Sequence, residues 1–326
     1  SAEVSLAMFG GKGRSLAKLA AAGLPVPNGF LLSTGAYKGF VEANELQESI
    51  LQIVADAACG QTAAIERASA GVESLFEAAK LPRGIAESIT QAYATLGEDE
   101  PPVAVRSSAT TEDLPASSFA GQHDTFLNVR GEAAVLHAVC RCWASLWTAR
   151  AIGYRIRMDI DQRSAAMGVV VQRMVAAEVS GILFTANPAT GNRSELVVNA
   201  SFGLGESVVG GQVTPDAYVL GGERLQVMVS QIGGRIQMVV SAVDQGVMTL
   251  PVPEHKQKES SLSPKTLSEL ASLGRDVEAL FEGHPQDIEW AVADGKVWLL
   301  QSRPITNLLP PPPPDIAWDP PSEGAV

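Results

Sequence analysis

The chain has 326 residues, 46% of them hydrophobic, which is enough to bury a full core and by length suggests two packed units. Its 36 acidic residues against 24 Lys and Arg give a net charge of −12, which excludes nucleic acid as a natural partner, although a single nucleotide needs only a few local cations and a metal. The longest apolar runs are cut by Gly or Pro, as in residues 20–29, so no segment reads as a membrane span. In chain order, Gly10-Gly11-Lys12-Gly13 precedes a helical pattern with Leu16, Leu19 and Ala20 on one face. Gly23-Leu24-Pro25-Val26-Pro27 stops that helix, and residues 29–34 read as a short strand. Residues 61–97 carry helical spacing broken at Leu81-Pro82-Arg83-Gly84. A strand at 103–106, a polar loop at 107–121 and a second strand at 123–129 follow. Residues 132–157 read as one long helix carrying Trp143 and Trp147.

From Ala165 the texture turns to β, with short runs at 168–175, 181–185 and 195–200 separated by turn residues. Ser263-Pro264 is a helix start, with Ser as N-cap, Pro in the first turn, and Leu267, Leu270, Leu273, Val277 and Leu280 as the buried stripe. A hairpin over 286–304 closes the folded part, and Pro310-Pro311-Pro312-Pro313-Pro314 begins a stiff tail. The expected division is a first lobe at 1–165 with a lid loop at 107–121, a second lobe at 166–306, and a linker at 307–326. Residues 1–10 lack the order of a signal peptide. Cys59, Cys140 and Cys142 have no disulfide or zinc spacing, which suits a reducing, cytoplasmic compartment.

The closing hairpin carries the densest chemistry. Read with a three-residue loop, Ala293-Asp294-Gly295, it pairs Val292 with Lys296 and Asp287 with Gln301. One face then holds Ile288, Trp290, Val292, Trp298 and Leu300, and the other holds Asp287, Glu289, Gln301 and Arg303. Carboxylates hold Mg²⁺ bridged to phosphates, and Arg forks onto phosphate oxygens. A solvated polar face is the alternative, and a one-residue slip in register would scatter the group. Three other segments are ambiguous alone: Gly10-Gly11-Lys12-Gly13, Arg106 before its run of hydroxyls, and Gly203-Leu204-Gly205-Glu206. The first lacks the longer spacing of a P-loop.

In order along the chain, Gly-Gly-Lys-Gly (10–13), Gly-Leu-Pro-Val-Pro-Asn-Gly-Phe (23–30), Val-Arg-Ser-Ser-Ala-Thr-Thr-Glu-Asp (105–113) and Ser-Phe-Ala-Gly-Gln-His-Asp-Thr-Phe-Leu-Asn-Val (118–129) form a specific set. Ser-Gly-Ile-Leu-Phe-Thr (180–185), Gly-Leu-Gly-Glu (203–206) and Asp-Ile-Glu-Trp…Leu-Gln-Ser-Arg-Pro (287–304) complete it. The set resembles the N-terminal nucleotide-binding region of phosphoenolpyruvate synthase, pyruvate phosphate dikinase and rifampicin phosphotransferase, over roughly residues 8–306. The resemblance implies an α+β, ATP-grasp fold whose two lobes close on ATP, with Mg²⁺. It implies that Lys12 and Arg106 contact phosphates and that Gln172 sits at the hinge near adenine. Backbone groups of Met174 and Val175 would read the base edge, and Glu206 would lie near the ribose. It makes Glu289 the leading metal ligand, with Gln301 and Asp287 beside it, and puts Arg303 on the terminal phosphates as a catalytic group with Arg106 and Lys12.

By the same resemblance ATP would be cleaved to AMP, with the β-phosphoryl passing to a histidine. None of His123, His137, His255 and His284 has the family's Gly- and Ser-rich setting for that histidine, and His137 reads as packing. The expected partners are therefore a phosphohistidine-carrying domain or subunit and an acceptor-binding domain, the final acceptor being pyruvate, a rifamycin or a phenol. A self-contained ATP-grasp ligase giving ADP and an acyl phosphate, and an ATP-sensing module without catalysis, are the competing readings.

Overall fold

The computed structural model describes residues 5–57, 60–97, 99–110, 125–211, 213–222, 225–306 and 308. The first part runs α1 (Leu6–Ala21), β1 (Gly29–Leu32), α2 (Thr34–Ala43), α3 (Leu46–Ala55), α4 (Thr62–Ala78), α5 (Arg83–Ala94), β2 (Val103–Ala109), β3 (Thr125–Val129), α6 (Glu132–Ser145), α7 (Ala149–Arg157) and β4 (Met167–Arg173). The second runs β5 (Val179–Phe184), β6 (Leu196–Phe202), α8 (Glu206–Val209), β7 (Asp216–Gly221), β8 (Gln226–Gln231), β9 (Gln237–Ser241), β10 (Val247–Pro251), α9 (Pro264–Leu280), β11 (Gln286–Ala293) and β12 (Lys296–Pro304). Helices and antiparallel sheets give the expected α+β class. None of the described helices is long and apolar enough to cross a membrane.

Two sheets organise the molecule. The first is four-stranded in the order β1-β4-β2-β3, and the second is six-stranded in the order β12-β11-β5-β6-β7-β8. Strand alternation gives the first sheet two different faces. Val103, Val105, Val169 and Val171 turn into a core under the helices, with Phe40, Val139 and Trp143. The even-numbered positions turn the other way. Val170 lies there with Leu16 and Leu19 of α1, in a core shared with Leu183, Ile288, Trp290 and the α9 stripe. The Ser263 hydroxyl accepts from the Thr266 N–H at 3.1 Å and Pro264 opens the helix, the start that the sequence indicates.

Four expectations need correction. The lobe boundary does not fall at 165/166, because β4 pairs with both β1 and β2 in the middle of the first sheet. The chain crosses to the second sheet only after Arg173. The strand expected at 103–106 runs to Ala109 and is wholly buried, so Ser107 and Ser108 belong to β2 rather than to a lid. Residues 111–121 of that lid, His123 and nearly all of the 307–326 tail lie outside the described residues. The helix expected over 132–157 breaks at 146–148 into α6 and α7, and His137 is exposed on α6 rather than packed. Finally, β7 to β10, between residues 216 and 251, carry little alternation and are absent from the sequence reading. All six residues of β8 are exposed, so its sequence holds no inside-outside signal.

Candidate functional site

The closing hairpin turns on two residues, Asp294 and Gly295, with φ of 51° and 69°. Two successive positive φ values define the tight hairpin turn that Asp-Gly favours, since its twist matches that of the strands. The register is therefore Ala293↔Lys296, Val292↔Val297 and Trp290↔Leu299, one step from the three-residue reading. That step puts Val297 and Leu299 into the core and leaves Trp298 and Leu300 half-exposed, the reverse of expectation. Trp298 instead lies beneath the Lys296 ammonium, 3.7 Å from the ring centre.

A bulge between Glu289 and Trp290 then takes up one residue on β12, and the pairing resumes as Glu289↔Gln301 and Asp287↔Arg303. The bulge returns the four polar side chains to one face. Arg303 donates from Nε to Asp287 Oδ2 at 2.9 Å, and its Nη2 lies 2.7 Å from the same oxygen. Burial raises the pKa of Asp287, against the opposing pull of Arg303 and with a smaller push from Glu289.

The first sheet supplies the facing groups. Arg106 shares its register with Val170 and so projects from the face turned towards the second sheet. Its Nη1 donates to Glu289 Oε2 at 3.1 Å, an ion pair that bridges the two sheets. One residue on, the Ser107 carbonyl accepts from Lys12 Nζ at 3.0 Å. Ser108 Oγ accepts from the Gly13 N–H at 3.0 Å and donates to the Phe9 carbonyl at 2.7 Å, which fastens the glycine-rich turn to β2. Gly10 kinks α1 with φ of 68°, and a Cβ there would stand 2.1 Å from the Ser108 carbonyl oxygen. Only glycine fits both the backbone and the gap. This turn is thus not an open phosphate loop but a buried junction that delivers Lys12 beside Arg106.

Gln172 projects from the same face of β4, is 3% exposed, and its Nε2 has no hydrogen-bond partner among the described residues. Residues 174–178 join the two sheets. The Met174 N–H is already donated to the Pro102 carbonyl at 2.8 Å, and the Val175 carbonyl accepts from the Ala177 N–H at 2.8 Å. The Met174 N–H is thereby committed, whereas the Val175 carbonyl keeps a second lone pair. Glu206 stands apart, exposed at the first residue of α8. Its loop is docked on the hinge side by Gly203 N–H to the Glu178 carbonyl at 3.0 Å and by Ser180 Oγ to the Gly203 carbonyl at 2.5 Å.

Lys12, Arg106, Asp287, Glu289, Gln301 and Arg303 are therefore brought together between the sheets, and Gln172 shares the Arg106 face. The sequence reading missed the bracing role of Ser108, which its place in a hydroxyl-rich run disguised. Among the described residues no group of three His, Cys, Asp or Glu side chains gathers as a metal cage. Two carboxylates and an amide oxygen nevertheless suit a hard cation that takes its remaining ligands from phosphate and water, as Mg²⁺ does.

Guanidinium, ammonium and carboxylate groups drawn from the two sheets thus stand together, joined across them by the Arg106–Glu289 ion pair. The chain belongs to the family described as pyruvate phosphate dikinase, AMP/ATP-binding domain, whose model matches residues 6–312. It is 43% identical over 311 residues to the rifampicin phosphotransferase of Streptomyces sviceus, covering 95% of this chain and 35% of that protein. To the phosphoenolpyruvate synthase of Pyrococcus furiosus it is 39% identical over 346 residues, with 92% and 42% covered. To a probable phosphoenolpyruvate synthase of Methanocaldococcus jannaschii it is 41% identical over 303 residues, with 92% and 25% covered. The chain thus spans a quarter to two fifths of these relatives. Among solved structures, a D-alanine–D-alanine ligase from Helicobacter pylori aligns at a TM-score of 0.30 and 13% identity over 69% of this chain and 47% of that one.

Proposed function

We propose that this chain binds Mg·ATP between its two sheets, in the manner of an ATP-grasp domain, and acts as the nucleotide-binding part of a dikinase-type phosphotransferase. In this reading ATP is cleaved to AMP, the β-phosphoryl passes to a histidine on another domain or subunit, and water takes the γ-phosphoryl, which leaves as phosphate. The final acceptor is carried elsewhere and is pyruvate, a rifamycin or a phenol. The setting is the cytoplasm, where ATP is held.

The observation that carries the proposal is the pairing of charges in the cleft. Arg106 neutralises Glu289 and Arg303 neutralises Asp287, while Lys12 rests on a carbonyl. Each pair can exchange partners when a nucleotide enters: the guanidinium groups turn to phosphate oxygens and the carboxylates to the cation. The two guanidinium–carboxylate pairs then stay matched throughout, which keeps the desolvation cost of those groups low. Glu289, Gln301 and Asp287 would hold Mg²⁺, which when bound neutralises charge on the phosphate chain. Lys12, Arg106 and Arg303 orient the triphosphate and stabilise the charge that moves between its oxygens as the phosphoryl group transfers. Gln172, whose buried Nε2 lacks a partner among the described residues, offers a donor to a ligand at the hinge, and Glu206 an acceptor to a ribose.

The test is incubation with Mg·ATP labelled at the β-phosphate, together with the histidine-bearing region of one of the relatives. The proposal expects AMP and acid-labile label on that region. ADP as the sole nucleotide product would sink the dikinase reading and favour a ligase.

A further inference from the structure

Asn128 is an unusual strand residue. It lies in β3 yet has φ of 54° and no exposed surface. The ladder explains how: Val103 pairs with Val129 while Val105 pairs with Phe126, so β3 carries one extra residue there. A bulge with Asn in the left-handed region turns its side chain out of the first sheet. That side chain reaches the tip of the β9–β10 hairpin, more than a hundred residues away. Nδ2 donates to the Ala242 carbonyl at 2.8 Å and to the Gly246 carbonyl at 2.9 Å. Oδ1 accepts from Arg130 Nε at 3.2 Å, which fixes the orientation of the amide. The backbone adds a fourth bond, Gly246 N–H to the Asn128 carbonyl at 3.2 Å, and Gln245 Nε2 donates to the Arg130 carbonyl at 3.1 Å.

The hairpin has little else to hold its tip. Val243 is 89% exposed, and Val247 and Met248 are 38% and 44% exposed. A two-stranded hairpin whose one buried strand residue is Val239 is marginal by itself. It is fixed to the second sheet through Leu204 N–H to the Val239 carbonyl at 2.7 Å, beside the Gly203↔Val239 bridge, and Val252 N–H to the Ile236 carbonyl at 2.9 Å closes the hairpin's own base. One end is thus joined to the Gly203-Leu204-Gly205-Glu206 loop, and the other is caught by the edge strand of the first sheet.

We infer that the β9–β10 hairpin is a strap tying the second sheet to the first, and that Asn128 is its catch, a positioning residue that sets the width of the cleft. The tie itself follows from the geometry alone, and its effect on nucleotide rests on the function proposed above. Two variants separate backbone from side chain. Asn128→Gly accepts the positive φ and deletes only the amide, and Asn128→Asp keeps the shape but faces two carbonyls with an acceptor. Gln245→Ala, at an exposed position, loosens the same tip with no risk to folding.

Amide exchange of residues 237–251 is expected to speed up at least tenfold in both Asn128 variants, and less in Gln245→Ala. Affinity for Mg·ATP is expected to fall about tenfold in the Asn128 variants, the effect of losing one or two net hydrogen bonds that favour the described arrangement of the two sheets over a looser one. Unchanged exchange in all three variants overturns the catch. Faster exchange with unchanged affinity overturns the coupling to the cleft. Failure of the unaltered protein to bind Mg·ATP strikes the proposed function instead, and leaves the exchange measurement to decide the catch.

Discussion

The ion pair between Arg106 and Glu289 can be tested as a bridge and as a ligand site in one double-mutant cycle. At 3.1 Å the gross attraction is about 5 kcal/mol for an effective dielectric constant of about 20. Desolvation takes back much of it, since the Arg106 side chain is only 10% exposed, whereas Glu289 is 25% exposed and stays partly hydrated. A coupling of about 1–3 kcal/mol is the expected remainder. Glu289→Gln should therefore destabilise by about 2 kcal/mol, because it strands a buried guanidinium whose Nε has no partner among the described residues. Arg106→Met should cost less, since a half-hydrated carboxylate tolerates solitude better. The double variant should be more stable than the sum of the two losses predicts. Urea unfolding of the four proteins gives the coupling, and calorimetric titration with Mg·ATP gives the second readout. Stability should recover in the double variant while nucleotide binding stays lost, because both partners are needed for the exchange of charges. A coupling below about 0.5 kcal/mol, or a double variant that binds nucleotide as the unaltered protein does, would refute the reasoning.

Gly10→Ala should lower stability by about 2–4 kcal/mol and weaken nucleotide binding together, since the new methyl meets the Ser108 carbonyl and pushes Lys12 from its place; a normal melting temperature would show that the junction gives way freely. Asp287 should make stability depend on pH in the acid range. Its folded pKa lies above the ordinary 3.8, so its contribution is fully present below that value and is lost as pH rises through the raised folded pKa. Asp287→Asn removes this loss, so its melting temperature relative to the unaltered protein should rise with pH across that window; a constant difference would mean the carboxyl titrates normally.

Much of this architecture is legible in residue types because local chemistry and tertiary demand agree. Ser263-Pro264 starts a helix by capping physics that needs no partner. The hairpin reads as a hairpin because Asp-Gly and alternating apolar residues say the same thing. Its register does not read so readily. The choice between a two- and a three-residue loop reverses every side chain on β12, and only the bulge beside Glu289 restores Gln301 and Arg303 to the cleft. The expected cluster was reached by a register whose error the bulge cancels for these two residues but not for Trp298 and Leu300. The β7 to β10 region stayed illegible for a different reason. Its strands are held by neighbours distant in sequence, and several face solvent on both sides, so no periodicity marks them.

The contacts between the sheets were the least legible of all, and they carry the chemistry. Arg106 and Glu289 are 183 residues apart, and nothing in either segment names the other. Each is nonetheless constrained locally. Arg106 stands on a strand whose alternate residues are Val103 and Val105, so its face is set by the apolar core behind it. Glu289 alternates with Ile288 and Trp290, which are likewise fully buried. The core behind the first sheet and the core that the two sheets share thus aim a cation and an anion at each other without any direct instruction between them. The pair then costs little to form and little to exchange, because the rigid strands have already met the entropy of placing it. The cores, rather than the polar residues, are thus responsible for the precision with which the charges meet. Enlarging Val105 to Phe, which presses on the helices and leaves every charged group untouched, should therefore disturb the Arg106–Glu289 geometry and nucleotide affinity more than removing the exposed Glu206 carboxylate does.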